Sequence, residues 1–445
     1  MKVALSIAGS DSGAGAGIQA DLKTFTTLGV YGCTAITAVT AQNTREVTGI
    51  FEIEPESVAK QIRSVIQDIP PDAIKIGMIY NKQNIQTISR ELKRTHAPIV
   101  LDPILSASSG GQLLLPDALE SFMTELIPLS TIITPNRLEA QKITGFKIVS
   151  LSDVFRATRK IKDLGAKNVI IKGNRTKKKK VADILMDSEG KLIEISNTRL
   201  SLEETHGTGC NFSAAITAYL AKGFTIIEAC RLANKYVWDS FQDSLKVGKG
   251  LLVSNPAGSM YDYACKYIVM KELRVAIKEI EAFENFGKLI PETQSNIAFA
   301  LPDAHELDDI AAIKGRFVRI DDSVTTASSI IEFGASKHVG SAILAYMTVN
   351  RLIRSAMNIK YDEKIRKIIN SIFKVSNYDR MKEPGHIMKK EGMSIFWGIK
   401  CALAKCPEAE IIYHKGALGK EPMCIIFGSN PPEVVNKLRI LLKHL

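Results

Sequence analysis

From Lys2 to about Val253 the chain alternates short β-branched runs, such as Val3 to Ala8, Ile99 to Leu101, Ile132-Ile133 and Val169 to Ile171, with longer segments of helical period. This alternation constrains the fold more than any other feature. Parallel strands need a crossover between them, and the helices that supply it must cover the faces of the sheet. The chain has 445 residues, 45% of them hydrophobic, so it is long enough for at least two buried cores. After Gly248-Lys249-Gly250 the stretch Ser254-Asn255-Pro256-Ala257-Gly258-Ser259 is rich in turn residues and closes one complete α/β pattern. The expected organisation is a first domain over 1–257, a linker over 258–262 and a second domain over 263–445.

The second domain opens with a helix expected from about Tyr263 to Phe283, whose Leu273, Ala276, Ile277 and Ile280 share one apolar face. Strand-like runs at Asn296 to Ala300, Arg316 to Ile320 and Met423 to Phe427 then alternate with helical segments at Val339 to Ala356 and Pro432 to Leu442. This reads as a smaller α/β or α+β domain.

Composition narrows the partners. There are 58 Lys and Arg against 47 Asp and Glu, a formal charge of +11, which favours anionic ligands. The one dense basic run, Arg175 to Lys180, lacks interleaved aromatics and reads as a solvated loop, so no nucleic-acid partner is expected. No apolar run approaches the ~18–20 residues of a membrane span, and Asp11 interrupts the opening run too early for a secretory signal. A cytoplasmic location is the expectation. The seven cysteines show no Cys-x-x-Cys spacing, so they indicate neither disulfides nor a zinc ribbon.

Two glycine segments carry the chemistry. Gly9 to Gly17 follows a strand and opens a helix at Ile18, where small residues admit a ligand close to the backbone. It lacks the Lys-Ser/Thr of a phosphate-loop NTPase and the later acidic residue of a dinucleotide fold. The second segment, Thr205-His206-Gly207-Thr208-Gly209-Cys210, bends into a helix of small residues. Amides at such a helix start stabilise charge on a transferring phosphoryl group, and the helix dipole is expected to lower the pKa of Cys210.

Together the two segments resemble the ribokinase-like superfamily, and specifically the hydroxymethylpyrimidine/phosphomethylpyrimidine kinases of thiamine biosynthesis. Gly9 to Asp21, Ala41-Gln42-Asn43-Thr44, Lys75-Ile76-Gly77-Met78 and Thr134-Pro135-Asn136 through Glu139-Ala140 match that family's motifs. The resemblance implies a central, mostly parallel sheet flanked by helices, ATP as phosphoryl donor, Mg²⁺ and a homodimer. It implies Cys210 as the base, with Gly207 and Gly209 in the phosphate loop. Gly9, Asp21, Gln42 and Met78 would contact the pyrimidine, and Asn136, Lys172, Thr205, Gly207 and Thr208 the nucleotide. Asp102 and Glu139, with Asn136, would hold the metal directly or through water, and a helix cap is the rival reading of Asn136. Relatives often carry a lysine in the loop after Asp102; here it reads Ser106 to Gly111, and Arg175 or the lysine run stands in reserve. Pyridoxal kinases share the cysteine and the glycine loops.

The second domain resembles the thiamine-phosphate synthase domain often fused to this kinase in archaea. The implied reaction joins hydroxymethylpyrimidine diphosphate to thiazole phosphate and releases pyrophosphate. Its cations and glycines suit phosphate binding: Arg316, Arg319, His338 and Lys420 are the catalytic candidates, and Arg351, Arg354, Asn358 and Lys420 the substrate-binding ones. Lys337 is expected to depress protonation of its neighbour His338. Related domains also occur as ligand sensors in regulators, and that reading stays open at this stage.

Overall fold

The structure, a computed structural model, describes residues 1–106, 111–175, 180–198, 205–388, 393–417 and 419–445. It divides into two compact units, Met1–Tyr261 and Asp262–Leu445.

In the first unit nine strands form one sheet: β1 (Val3–Asp11), β2 (Tyr31–Gln42), β3 (Val47–Glu52), β4 (Ala73–Ile76), β5 (Ile99–Leu101), β6 (Ile132–Ile133), β7 (Asn168–Arg175), β8 (Lys180–Met186) and β9 (Leu192–Thr198). Their order is β3-β2-β1-β4-β5-β6-β7-β8-β9. The six strands from β2 to β7 in that order pair in parallel, while β3, β8 and β9 add antiparallel margins. The parallel strands read as unbroken apolar runs because both faces are covered. Ile7, Ile74, Leu101 and Ile133 pack beneath the helices Pro55–Asp68, Lys82–Leu92, Arg137–Thr144 and Leu151–Asp163. Ala4, Val100, Ile132 and Ile170 pack beneath Gly17–Thr27, Thr208–Ala221 and Ile226–Gln242 on the other face. A two-stranded pair, β10 (Thr205–His206) with β11 (Leu252–Val253), completes the unit.

The segment 258–262 expected as a linker is the first turn of a helix, Gly258–Glu281, which starts five residues before the expected Tyr263. Its Leu273, Ala276 and Ile280 are buried as the apolar stripe requires.

The second unit adds β12 (Ile297–Ala300), β13 (Ile310–Ile313), β14 (Phe317–Ile320), β15 (Ser323–Thr326), β16 (Ile331–Phe333), β17 (Ser355–Lys360), β18 (Val375–Asn377), β19 (Ile411–His414) and β20 (Met423–Gly428). Seven of them form a sheet of order β16-β13-β12-β17-β20-β19-β18, antiparallel except between β18 and β19, and β14 and β15 form a separate hairpin. One face carries Met357, Ile359, Ile411 and Ile426 under the helices Gly258–Glu281, Glu363–Ile372 and Pro431–Leu442. The other carries Ala298, Ala356, Ile412 and Phe427 under Lys337–Met347 and Met393–Lys405. The helix expected over Val339 to Ala356 therefore ends at Met347, and Ser355 onward is the central strand β17. A local turn ends it: the Asn350 side chain accepts from the Leu352 N–H at 3.0 Å, and Ser355 enters the sheet. Among the described residues no helix is long and apolar enough to cross a membrane.

Candidate active site

The carboxyl ends of the parallel strands of the first unit open into a cavity of about 850 Å³. Open α/β sheets bind ligands at this end. Gly9, Gln42, Met78, Asp102, Asn136, Glu139, Lys172, Gly207, Thr208, Gly209 and Cys210 all line it.

The glycine segments meet here. Gly207, with φ +87°, caps the helix Thr208–Ala221, and a Cβ on it would overlap the Gly15 carbonyl. Gly17, with φ +59°, faces the Gly9 carbonyl, which a Cβ on it would also overlap. Only glycine meets both demands, a left-handed backbone and a near-zero standoff. The amides of the first loop are already used: the Asp11 carboxylate accepts from Gly13 (2.8 Å), Gly15 (3.0 Å) and Ala16 (2.8 Å). The helix that follows the second loop begins at Gly207, which has no side chain to cap it. That is where an anion fits.

Asp102, buried after β5, accepts from Thr134 Oγ1 (3.0 Å), Lys172 Nζ (3.1 Å) and Ser213 Oγ (2.9 Å). Lys172 ends up inside β7, where burial opposes its charge but Asp102 and Glu139 outweigh it and raise its pKa. Asn136 and Glu139 form a capping box: Glu139 N–H donates to Asn136 Oδ1 (2.9 Å) and Asn136 N–H to Glu139 Oε2 (2.7 Å). Burial pushes the Glu139 carboxyl up to about 7, with Asp102 adding to it against the pull of Lys172. Gln42 ends β2, its Oε1 accepting from Thr40 Oγ1 at 3.2 Å. Met78 packs on Ala38 and Leu113 and leaves no room for a side chain at Gly9. The side chain of Thr205 and those of Arg175 to Lys180, like residues 107–110, lie outside the described residues.

Two expectations change. The Cys210 thiol is pushed up to about 11, not lowered. Burial removes the water a thiolate needs, Asp21 and Asp102 add repulsion, and Lys75 with the Gly17 N–H only partly offset them. Asp21 does not line the cavity. It is fully buried, ion-paired with the equally buried Lys75 and bonded by Ser6 Oγ at 2.6 Å. The signal missed in sequence is Lys75 itself, a lysine flanked by Ile74 and Ile76 in a core strand. Also unforeseen are Asp183, Asn234, Trp238 and Phe241, which line the cavity. Asp183 accepts from Gly173 N–H (2.9 Å) and Asn234 Nδ2 (2.8 Å).

In the second unit His338 stands in the first turn of Lys337–Met347 and Arg316 just before β14. Burial first, then Arg380 and Arg316, pushes His338 down to about 4; Lys337 is not the cause. Arg316 donates to the Thr293 carbonyl. Lys420 Nζ lies 3.7 Å from Glu383, which is 3.9 Å from Arg380. Arg319 is tied to its own hairpin, Nε to the Asp321 carbonyl at 2.6 Å. Arg351 is exposed, 3.8 Å from Asp303, and Arg354 stacks 4.6 Å over Phe299. Asn358 is spent on structure: it accepts from Asn296 N–H (2.8 Å) and donates to the Gln294 carbonyl (2.9 Å). Arg380 and His414, unforeseen because their loops are distant in sequence, join His338 instead.

The first unit has the ribokinase-like fold of the pyridoxal kinases. It superposes on the *Bacillus subtilis* enzyme solved as an ADP complex with a TM-score of 0.55 and 33% identity, covering 58% of this chain and 99% of that one. The *Staphylococcus aureus* pyridoxal kinase, solved with AMP-PCP and pyridoxal, gives 0.53 and 32%, covering 58% and 94%. Residues 11–255 match the phosphomethylpyrimidine kinase family and residues 272–440 the thiamine-phosphate synthase ThiN family. The bifunctional thiamine biosynthesis protein ThiDN of *Methanocaldococcus jannaschii* is 34% identical over 99% of this chain and 98% of its own length. A hydroxymethylpyrimidine/phosphomethylpyrimidine kinase of *Rhizobium meliloti* is 43% identical over 56% of this chain and 94% of its own. The chain thus belongs to the phosphomethylpyrimidine kinase family, in the bifunctional form that carries a ThiN synthase domain behind the kinase.

Two measurements follow from this geometry. Asp21→Asn is expected to destabilise the first unit by about 3–5 kcal/mol in urea denaturation, because it strands the Lys75 charge in the core; an unchanged stability with a raised KM would place Asp21 against substrate instead. Alkylation of Cys210 in the ligand-free protein, followed by peptide mass spectrometry, should climb through a pH of about 11. A raised thiol pKa keeps the protonated, unreactive form dominant below it, so a midpoint near 8.5 would contradict the burial argument.

Proposed function

We propose that the first unit phosphorylates a hydroxymethylpyrimidine twice, at the expense of ATP, and that the second unit couples the resulting diphosphate to thiazole phosphate to give thiamine phosphate and pyrophosphate. One observation carries the kinase half: Gly207 against the Gly15 carbonyl brings the start of the helix Thr208–Ala221, Cys210, Asp102 and Lys172 to one cavity.

In this reading the pyrimidine lies at the first loop between Gln42 and Met78, an amide beside an apolar face. The nucleotide phosphates take the helix start at Gly207 to Gly209, with Lys172 neutralising charge, and the base lies toward Trp238 and Phe241. Cys210 accepts the hydroxymethyl proton as the oxygen attacks the terminal phosphorus and the bond to ADP breaks. Its high pKa makes the thiolate scarce but strongly basic. The second transfer uses a phosphate oxygen that is already ionised and needs no base.

Asp102 and Glu139 fit a hydrated Mg²⁺, which is ordinarily held by one or two carboxylates with water and phosphate oxygens completing its shell. Burial first, with the Asp102 charge adding to it, raises Glu139, and a cation beside the two carboxylates would relieve that repulsion. When bound, the ion neutralises charge on the transferring phosphates.

In the second unit, His338, Arg316 and Lys420 face the substrates. The pyrimidine-methyl C–O bond breaks with its electron pair leaving on diphosphate, and the thiazole nitrogen forms the new C–N bond. The protein stabilises the departing charge and aligns the partners.

Incubation of the full chain with hydroxymethylpyrimidine, Mg·ATP and thiazole phosphate, resolved by mass spectrometry, should show monophosphate, diphosphate and thiamine phosphate in sequence. Faster turnover of pyridoxal than of the pyrimidine alcohol would overturn the substrate assignment. Cys210→Ala should slow the first phosphorylation ~10²-fold or more and the second far less; equal losses would refute the division of labour. His338→Ala should leave both phosphorylations intact and abolish thiamine phosphate, whereas unchanged coupling would return the second unit to ligand sensing.

A further inference from the structure

The described part of the second unit leaves several buried polar atoms without partners, and five of them belong to one cluster: His338 Nε2, His414 Nε2, Arg380 Nε, the Tyr378 hydroxyl and Glu383 Oε1. A buried donor left unmade costs about 1–3 kcal/mol, so several together in a folded protein call for a ligand. The cluster spans three elements on one face of the sheet. His414 ends β19, Tyr378 to Glu383 follow β18, and His338 opens the helix Lys337–Met347.

The tautomer of His414 is fixed by geometry. Gly416 N–H donates to His414 Nδ1 at 3.1 Å, so the neutral ring must carry its proton on Nε2, the atom that has no partner. That N–H is a donor held out of water, on a residue only 1% exposed. The Tyr378 ring packs 5.2 Å from the His414 ring and 6.3 Å from Trp397, and it lies where any side chain at Gly398 would sit. The ring is fixed while its hydroxyl stays unspent. Glu383 stands between Arg380 (3.9 Å) and Lys420 (3.7 Å) and orients both. Two cations, Arg380 and Lys420, thus share one carboxylate, and Arg316 adds positive charge at His338. The excess positive charge and the orphaned N–H and O–H groups ask for a compact polyanion with many acceptor oxygens.

We infer that Tyr378, Arg380 and His414 are further substrate-contacting residues of the synthase unit, forming with His338 a pocket for the diphosphate group, and that Glu383 positions its cations. This rests on the coupling reaction proposed above. As the C–O bond breaks, its electron pair stays on diphosphate. The Nε2–H of His414 hydrogen-bonds that oxygen and keeps its proton, so no proton transfer is needed. Burial and then the neighbouring charges hold His414 down to about 3 and His338 down to about 4, and a neutral ring suits this donor role.

The test titrates inorganic pyrophosphate calorimetrically into the full chain and into its Tyr378→Phe and His414→Gln variants, beside assays of thiamine phosphate formation and thermal melts. Tyr378→Phe removes a hydroxyl that bonds nothing in the empty protein, so its melting temperature should hold or rise while pyrophosphate binding weakens roughly 10-fold. A structural role for Tyr378 would lower both together. His414→Gln should weaken binding and slow coupling with both phosphorylations intact. Unchanged pyrophosphate affinity in both variants, with thiamine phosphate still formed by the parent, would overturn the pocket and spare the proposed function. Weakened affinity in the variants of a chain that forms no thiamine phosphate would keep the pocket and overturn the coupling reaction.

Discussion

The first unit depends on the approach of two backbones that carry no side chains where they touch. Gly207 and Gly17 hold left-handed conformations, and each faces a carbonyl, of Gly15 and of Gly9, at a distance no Cβ allows. Everything chemical is hung from that contact. It brings the start of the helix Thr208–Ala221 to the end of β1, sets Cys210 against the Gly17 N–H, and aligns Ser213 one turn later with the Asp102 carboxylate. A single methyl group at either glycine would part the loops, and the proton acceptor would leave the phosphate site with them.

Around that contact the molecule buries charge in pairs. Lys172 with Asp102 lines the cavity and Lys75 with Asp21 is buried away from it, and the groups influence one another through the low-dielectric interior. Such pairs add little net stability, yet either partner alone is expensive, so they fix where each charge must sit. The synthase unit makes the opposite choice. Near Glu383 its Arg380, His338 and His414 keep buried polar atoms without partners, the arrangement from which the diphosphate site is inferred.

Much of this was legible in the sequence. The alternation of β-branched runs with helical segments gave the parallel sheet, and the glycine spacings located the cavity mouth, because glycine at a left-handed, crowded position leaves a mark in sequence. What was not legible depends on pairing across long separations. Asp21 reads as a site residue until Lys75 arrives from β4 to neutralise it, and Asn358 looks free until Asn296 and Gln294 claim both ends of its amide. The Cys210 thiol illustrates a balance of magnitudes: the helix dipole visible in the sequence is outweighed by a desolvation that only the closed fold imposes. Arg380 and His414 carried no local motif, since their meaning lies in what they lack, and an absent partner cannot be read from a string of letters.

The carboxylate of Asp11 that fills the first loop has one more consequence. It gives the cavity a polarity. With the amides of Gly13, Gly15 and Ala16 already committed to Asp11, the first loop repels further negative charge, so in the proposed reaction acceptor and donor do not exchange ends. As the proposed reaction proceeds from alcohol to monophosphate to diphosphate, each added phosphate crowds toward the same helix start that must receive the next nucleotide. The enzyme would thus grow less hospitable to its product with every transfer, a built-in pressure for the diphosphate to depart.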